Sequence, residues 1–117
     1  MTRDSGGGPS ARATIAALAS GRPPCAVAVL RVSGPQAFAA ARRLAGRLPQ
    51  PRRAGLRTLR DPASGAVLDE ALLLAFPAPA SATGEDVVEL HCHGSVAVVD
   101  AVLGALVGQP GVRLARP

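Results

Sequence analysis

The chain has 117 residues, a length that fits one domain and leaves little room for a second. It is 48% hydrophobic and 18% charged, which is typical of a globular protein and argues against intrinsic disorder. Thirteen arginines, no lysine and eight acids give a net charge of +5, which allows an anionic partner. With two Phe and no Trp or Tyr, few aromatic rings are available to stack on nucleic-acid bases.

Cysteine usage and the opening residues bear on localisation. Cys25 and Cys92 are too few and too far apart for a disulfide framework, which indicates a reducing compartment. No apolar run approaches a membrane span. Residues 1–12 contain three consecutive glycines and no hydrophobic signal region, so we interpret them as a disordered leader. A leader this short is more consistent with a flexible tail than with a transit peptide, and arginine without lysine is typical of GC-rich coding. The sequence therefore predicts a cytoplasmic bacterial protein rather than a mitochondrial one.

The first half of the chain predicts two strands and a helix. They lie at residues 14–20, 26–32 and 35–45. The alanines of the first segment leave a helix open there, whereas "AVAVLRV" is a near-continuous apolar strand interrupted only by Arg31. Ser33 or Gly34 is the predicted helix cap, Pro35 the first helical residue, and Gly46 the terminator.

The second half predicts a hairpin, a strand, a helix and a last extended segment. They lie at residues 55–61 with 66–76, then 87–93, 96–108 and 110–117. Ser95 is the predicted cap of the second helix. Its predicted apolar face comprises Val96, Val99, Val102, Leu103 and Leu106. This order of elements favours an α+β domain with a mixed sheet of about five to six strands and two helices.

The strand at residues 87–93 carries ionisable groups on one face. Alternation places Val88, Leu90 and Cys92 on a core face, and Val87, Glu89, His91 and His93 on the other. Glu89, His91 and His93 are chemically acceptable metal ligands. The chain has no other histidine and Cys92 points the other way, so hydrogen-bonded histidines without a metal are favoured. For the same reason Cys92 forms no catalytic dyad with them.

Arg31 and Glu89 each interrupt a strand that otherwise looks buried. Charges in such positions must pair with each other or with something bound. One interpretation is an internal Arg31–Glu89 ion pair. The other is a small ligand that offers an acceptor or carboxylate to Arg31 and a pair of donors to Glu89. The chain has neither GxxxxGK[ST] nor GxGxxG, so it does not hydrolyse a nucleoside triphosphate by itself.

The only charge cluster consists of seven arginines without an intervening acid. They are Arg42, Arg43, Arg47, Arg52, Arg53, Arg57 and Arg60. Here a solvated face is favoured over a specific nucleic-acid contact, and a basic module that contacts nucleic acid remains an alternative function.

Four segments together resemble a known family. "TIAALAS", "AVAVLRVSGPQAF", "LDEALLLAFPAPASATGEDVVELHCHGS" and "PGVRLARP" are similar in order and spacing to the N-terminal domain of the tRNA-modification GTPase MnmE (TrmE) family. The resemblance runs over residues 13–117, and "RVSGP" and "TGEDVVELHCHG" are its specific motifs. It implies a fold like that of the folate-binding aminomethyltransferases, a homodimer, and binding of a tetrahydrofolate derivative such as 5-formyltetrahydrofolate. By motif match it implies Arg31 and Glu89 as folate contacts, with His91 and His93 beside the site or at an interface.

The resemblance also implies a larger protein. The family adds a helical domain and a G domain that uses potassium and magnesium, and it works with an FAD-containing MnmG partner on the wobble uridine of tRNA. This chain stops before the family's "GEF" segment and a downstream Lys that contacts folate, so we expect a truncated domain. A dimerisation-only fragment is therefore a further alternative. "GRPPCAV" and Ser95 depart from the family's Gly-rich turn and second glycine.

Overall fold

The computed structural model describes residues 13–115, so the predicted leader at residues 1–12 and the last two residues lie outside it. Within that range the chain forms six strands and two helices. In chain order they are β1 (Thr14–Leu18), β2 (Val27–Ser33), α1 (Ala37–Ala45), β3 (Gly55–Arg60), β4 (Val67–Phe76), β5 (Val87–His93), α2 (Val96–Val107) and β6 (Val112–Leu114). The number and order of elements match the prediction.

All six strands form one sheet in the order β3-β4-β5-β2-β1-β6. Neighbouring strands are antiparallel except β1 and β6, which are parallel. The predicted hairpin is β3–β4, with a register irregularity at Leu59 and Arg60. A mixed sheet with two helices is the predicted α+β fold, which is thereby confirmed.

Both helices pack on one face of the sheet and share a single core with it. Six residues of this core are alanines: Ala16, Ala28, Ala37, Ala40, Ala41 and Ala71. In α1, Ala37, Ala40, Ala41 and Leu44 are buried, which is the spacing of one helical face. Small side chains along this face allow the helix axis to lie close to the sheet. The opposite face of the sheet, called here the open face, has neither helix on it.

The predicted start of α1 is wrong. The helix begins at Ala37 with Gln36 as its cap residue, and the Gln36 side chain makes no capping bond. Instead the buried Thr14 hydroxyl, from β1, accepts a hydrogen bond of 2.7 Å from the backbone N–H of Gln36. Gly34 makes this approach possible, because a Cβ there would lie 2.7 Å from the Thr14 Cα and its φ is +136°. The residue that precedes the helix is thus held in place by a distant strand.

The predicted cap of α2 is confirmed, since the Ser95 hydroxyl accepts a hydrogen bond of 3.1 Å from the Val98 N–H. Val99, Val102 and Leu106 are buried as predicted. Val96 is 49% exposed, so its assignment to the buried face is wrong. In this first turn Val98 and Val99 face the core instead. No helix among residues 13–115 is long and apolar enough to cross a membrane.

Candidate ligand site

The charged groups of β5 lie on the open face, as predicted. Val88, Leu90 and Cys92 are buried beneath the helices, while Glu89, His91 and His93 alternate with them. The neighbouring strand β2 is antiparallel to β5, and its residue Arg31 is directly opposite Glu89. The site is therefore built by strand register, which places the guanidinium and the carboxylate side by side.

Arg31 and Glu89 form the ion pair that the sequence offered as one alternative. Arg31 Nη2 lies 3.2 Å from Glu89 Oε2, and the two side chains are 37% and 22% exposed. Glu89 Oε1 is also 3.1 Å from His91 Nε2. Burial raises the pKa of Glu89, but the hydrogen bonds and charges of His91 and Arg31 outweigh it, so the pKa lies below its usual value. Glu89 is a carboxylate at neutral pH.

The Arg31 guanidinium is only partly used by this pair. Its Nε atom is buried and has no hydrogen-bond partner among the described residues. Buried donors without a partner are rare in folded proteins and cost free energy. The Arg31 guanidinium can therefore donate a hydrogen bond to a further acceptor.

Arg31 lines an open pocket of about 360 Å³ at the β1–β2 side of the open face. The walls come from β1, β2 and the loop that precedes β5: Ile15, Ala17, Leu18, Ala19, Arg31, Ser33, Thr83 and Glu85. The lining is thus mostly apolar with a few polar groups, the composition usual in small-molecule sites. Glu89 is not part of the pocket wall; it contacts the pocket through Arg31.

The loop between β4 and β5 is held against the pocket by short hydrogen bonds. The hydroxyls of Ser33 and Thr83 are 2.7 Å apart. Asp86 accepts bonds from the Ala78 N–H, at 2.8 Å, and through its backbone carbonyl from the Gly34 N–H, at 3.0 Å. The sequence indicates only a connection at residues 77–84 and gives no sign that Thr83 and Glu85 line a pocket. Only the fold brings them over β2.

The two histidines of β5 belong to separate pairs. His93 Nδ1 lies 2.7 Å from Asp69 Oδ1 on β4, and the His93 backbone N–H donates to Asp69 Oδ2 at 2.8 Å. His91 is bound to Glu89 instead. Within residues 13–115, no three His, Cys, Asp or Glu side chains are placed to hold one metal ion. The predicted hydrogen-bonded histidines are present, and the partner Asp69 was not identified from the sequence.

The "HCHG" motif fixes the start of β2. The Cys25 N–H donates to the Gly94 carbonyl at 2.9 Å, and a Cβ on Gly94 would lie 2.0 Å from the Cys25 carbonyl oxygen. The "GRPPCAV" loop is therefore anchored to the end of β5. Both cysteines are free, and burial raises the pKa of Cys92 to about 12.

Residues 14–117 match the family described as the GTP-binding protein TrmE N-terminus. The chain belongs to this family. It is 58% identical over 104 residues to a tRNA modification GTPase MnmE of Novosphingobium aromaticivorans, covering 89% of this chain and 24% of that protein. It is 53% identical over 108 residues to the MnmE of Rhodopseudomonas palustris, covering 92% of this chain and 24% of that protein.

A third relative, the MnmE of a Bradyrhizobium strain, is 55% identical over 104 residues, covering 89% of this chain and 23% of that protein. The chain therefore spans about a quarter of the length of these TrmE-family relatives. Both specific motifs, with Arg31 and Glu89, lie inside the matched residues. Family membership confirms the resemblance, whereas the ligand of the pocket is a separate question.

Proposed function

We propose that this domain binds a tetrahydrofolate, with 5-formyltetrahydrofolate as its ligand, in the pocket beside Arg31. The observation that carries the proposal is the guanidinium of Arg31, which lines an apolar pocket and retains a buried, unpaired Nε–H. Such a donor favours a ligand that brings a carbonyl or carboxylate oxygen. Folate has both, and family membership makes it the first ligand to test.

The pocket suits a ligand of this kind in size and lining. Its volume of about 360 Å³ lies within the usual range for small-molecule sites, roughly 300–1,000 Å³. Ile15, Ala17 and Leu18 supply an apolar wall for a flat ring, while the hydroxyls of Ser33 and Thr83 offer hydrogen bonds at one side. Burial of the ring and a few hydrogen bonds would thus both contribute to binding of the ligand.

Glu89 has one of two roles in this proposal. It orients Arg31 through the ion pair of 3.2 Å, or it accepts the paired donors of a pterin ring once the bound ligand displaces that pair. Its depressed pKa keeps it in the accepting, charged form. Glu89→Gln separates the roles, because an amide can still accept one bond from Arg31 but cannot accept two donors in parallel.

The test is calorimetric titration of 5-formyltetrahydrofolate into the chain and into Arg31→Ala and Glu89→Ala. Both variants should lose binding while their circular dichroism stays that of the folded chain. Arg22→Ala and Glu70→Ala are matched controls on exposed residues and should bind normally. Binding that survives Arg31→Ala would refute the proposal. Absence of binding to a folded wild type, repeated with a longer chain that continues past residue 117, would refute it as well.

We also propose that the domain forms a homodimer through the open face. Leu56, Leu72 and His91 are neighbours in one cross-strand row, and Leu56 is 60% and Leu72 45% exposed. Exposed apolar side chains in such a row favour a protein contact. Leu72→Glu should convert a dimer to a monomer in sedimentation velocity, whereas Leu114→Glu, at the far sheet edge, should not. A wild type that stays monomeric at high concentration would contradict this.

In its full context, we propose that the domain serves a bacterial, cytoplasmic GTPase that modifies the wobble uridine of tRNA. The relatives named tRNA modification GTPase MnmE support this, and the two free thiols are consistent with a reducing compartment. The folate would supply the one-carbon unit, and an MnmG-like FAD protein would be the partner. A deletion strain complemented by the full gene but not by its Arg31→Ala form, with tRNA nucleosides measured by mass spectrometry, tests this role.

A further inference from the structure

Seven arginines, called here the arginine edge, lie between residues 42 and 60 with no acidic residue among them. They lie on α1, on the α1–β3 connection and on β3, the outermost strand on one side of the sheet. Six are exposed and Arg57 is half-buried. None of the seven forms an ion pair with a carboxylate of the described residues. The nearest acidic residues are Asp61, which follows Arg60, and exposed Glu70, which is the cross-strand partner of Thr58. Positive charge therefore predominates on α1 and the α1–β3 connection.

Part of the arginine edge is held rigidly by bonds to neutral oxygens. Arg52 Nη2 donates to the Ala80 carbonyl at 2.7 Å, and Arg57 Nε donates to the Arg47 carbonyl at 2.6 Å. Arg52 also has a φ of 63°, unusual for a residue other than glycine. These bonds fix the connection without neutralising any charge. The arginine edge is therefore preorganised as a cationic surface.

Two of the arginines line a recess within this surface. Arg42 and Arg47 face a cavity of about 200 Å³ whose other walls include Phe38, Leu48 and Pro49. The Arg42 guanidinium lies 5.9 Å from the centre of the Phe38 ring. Neither guanidinium donates a hydrogen bond to another described residue. Two guanidiniums that make no hydrogen bond, beside an apolar wall, suit a phosphate with an attached sugar or base.

We propose that the arginine edge binds the phosphate backbone of RNA, with one phosphate held between Arg42 and Arg47. The choice of RNA rests on the proposed function, since the relatives are named tRNA modification GTPases. A membrane surface fits less well. Leu56 is the only exposed large apolar side chain between residues 42 and 60, and it belongs to the open face, so the recess has nothing to insert into lipid.

The loop between β4 and β5 joins the arginine edge to the candidate folate pocket. Its residue Ala80 receives the Arg52 hydrogen bond, and its residue Thr83 lines the pocket. RNA bound at the arginine edge would lie next to the loop that contributes to the pocket wall. The two sites are thus neighbours on one domain, while the residues that form them are different.

The test is fluorescence anisotropy of labelled, unfractionated tRNA with this chain at 50 to 200 mM NaCl. If three or four phosphates are contacted, log K should fall against log salt with a slope of roughly −3. Arg42→Gln/Arg47→Gln removes the contact to that one phosphate, so it should reduce the slope by about one and weaken binding about tenfold at 100 mM. Arg22→Gln/Arg113→Gln removes the same charge elsewhere and should change binding by about twofold at most.

Three outcomes would overturn the inference. The wild type could fail to bind tRNA at 50 mM NaCl, or the control pair could lose as much affinity as the Arg42/Arg47 pair. Vesicles of phosphatidylglycerol and phosphatidylcholine could bind with the same arginine dependence, which would assign the surface to lipid. Calorimetry with 5-formyltetrahydrofolate on the same variants keeps the proposals separate. Folate binding without tRNA binding refutes only this inference, and the converse refutes only the folate site.

Discussion

Gly94→Ala should destabilise the domain strongly, although the substitution adds a single methyl group. The new Cβ would lie 2.0 Å from the Cys25 carbonyl oxygen, 2.6 Å from its carbon and 2.8 Å from its Sγ. A carbon–oxygen contact normally needs about 3.3 Å, so the Cys25 backbone must retreat by roughly 1.3 Å. The requirement for glycine here is steric, since the φ of Gly94 is not in the left-handed region.

The cost has two parts. Overpacking against backbone costs about 1–3 kcal/mol. The same retreat breaks the 2.9 Å hydrogen bond from the Cys25 N–H to the Gly94 carbonyl, worth about 1 kcal/mol net. The sum of about 2–4 kcal/mol is a large fraction of the stability of a domain this size. It corresponds to a fall in Tm of roughly 10–20 °C.

The assay is urea and thermal unfolding followed by circular dichroism, because the chain has no Trp. Gly104→Ala is the matched control: it lies in α2 with no atom within 4 Å of its added Cβ, and should stabilise by about 0.5–1 kcal/mol. The two changes are chemically identical and should have opposite signs. If the unfolding free energy of Gly94→Ala lies within about 0.5 kcal/mol of the wild-type value, the close approach of Cys25 to Gly94 is refuted.

Two further predictions concern ionisable groups. The pKa of Glu89 is lower in the folded state than in the unfolded state. The ionised Glu89 therefore adds to the free energy of unfolding above its unfolded pKa, and this stabilisation is lost as the pH falls through its folded pKa. Glu89→Gln should therefore flatten the dependence of the unfolding free energy on pH in the acid range; an unchanged slope there would contradict the pairing with Arg31 and His91. Cys92, buried with a pKa of about 12, should resist alkylation by iodoacetamide at pH 8 until the chain unfolds, while Cys25 reacts. If mass spectrometry finds two labels on the native protein, the Cys92 thiol is accessible to the reagent and its burial is contradicted.

The elements could be predicted from sequence because their signals are local. The apolar run broken by Arg31 predicts β2 to within a residue, and the alternation through Glu89 predicts β5 with its bounds and its two faces. Ser95 caps α2 within its own turn, so its role is visible in the sequence. The predicted start of α1 is less accurate, because the residue before the helix is held by the Thr14 hydroxyl from β1. A sequence pattern carries no sign of such a distant partner.

The site could be predicted only in part, for a related reason. Charges in otherwise apolar strands identified Arg31 and Glu89, because the cost of burying a charge requires a partner. The pairing of His93 with Asp69 depends on how β4 lies against β5, which the sequence does not encode locally. Thr83 belongs to the pocket because its loop folds back over β2. Pocket walls formed by connections need the fold before they can be recognised.

The alanine-rich contact between α1 and the sheet limits which substitutions the domain can tolerate. Where α1 meets the sheet, Ala37, Ala40 and Ala41 are between 0% and 2% exposed, so there is almost no side chain left to trim. Nearly every replacement enlarges the residue and pushes the helix away from the strands beneath it. Substitutions at these three alanines are therefore expected to cost more stability than substitutions on the open face or the outer surfaces of the helices. New binding properties can be acquired there without disturbing the scaffold, which is a useful arrangement for a domain that presents a ligand pocket and a charged edge.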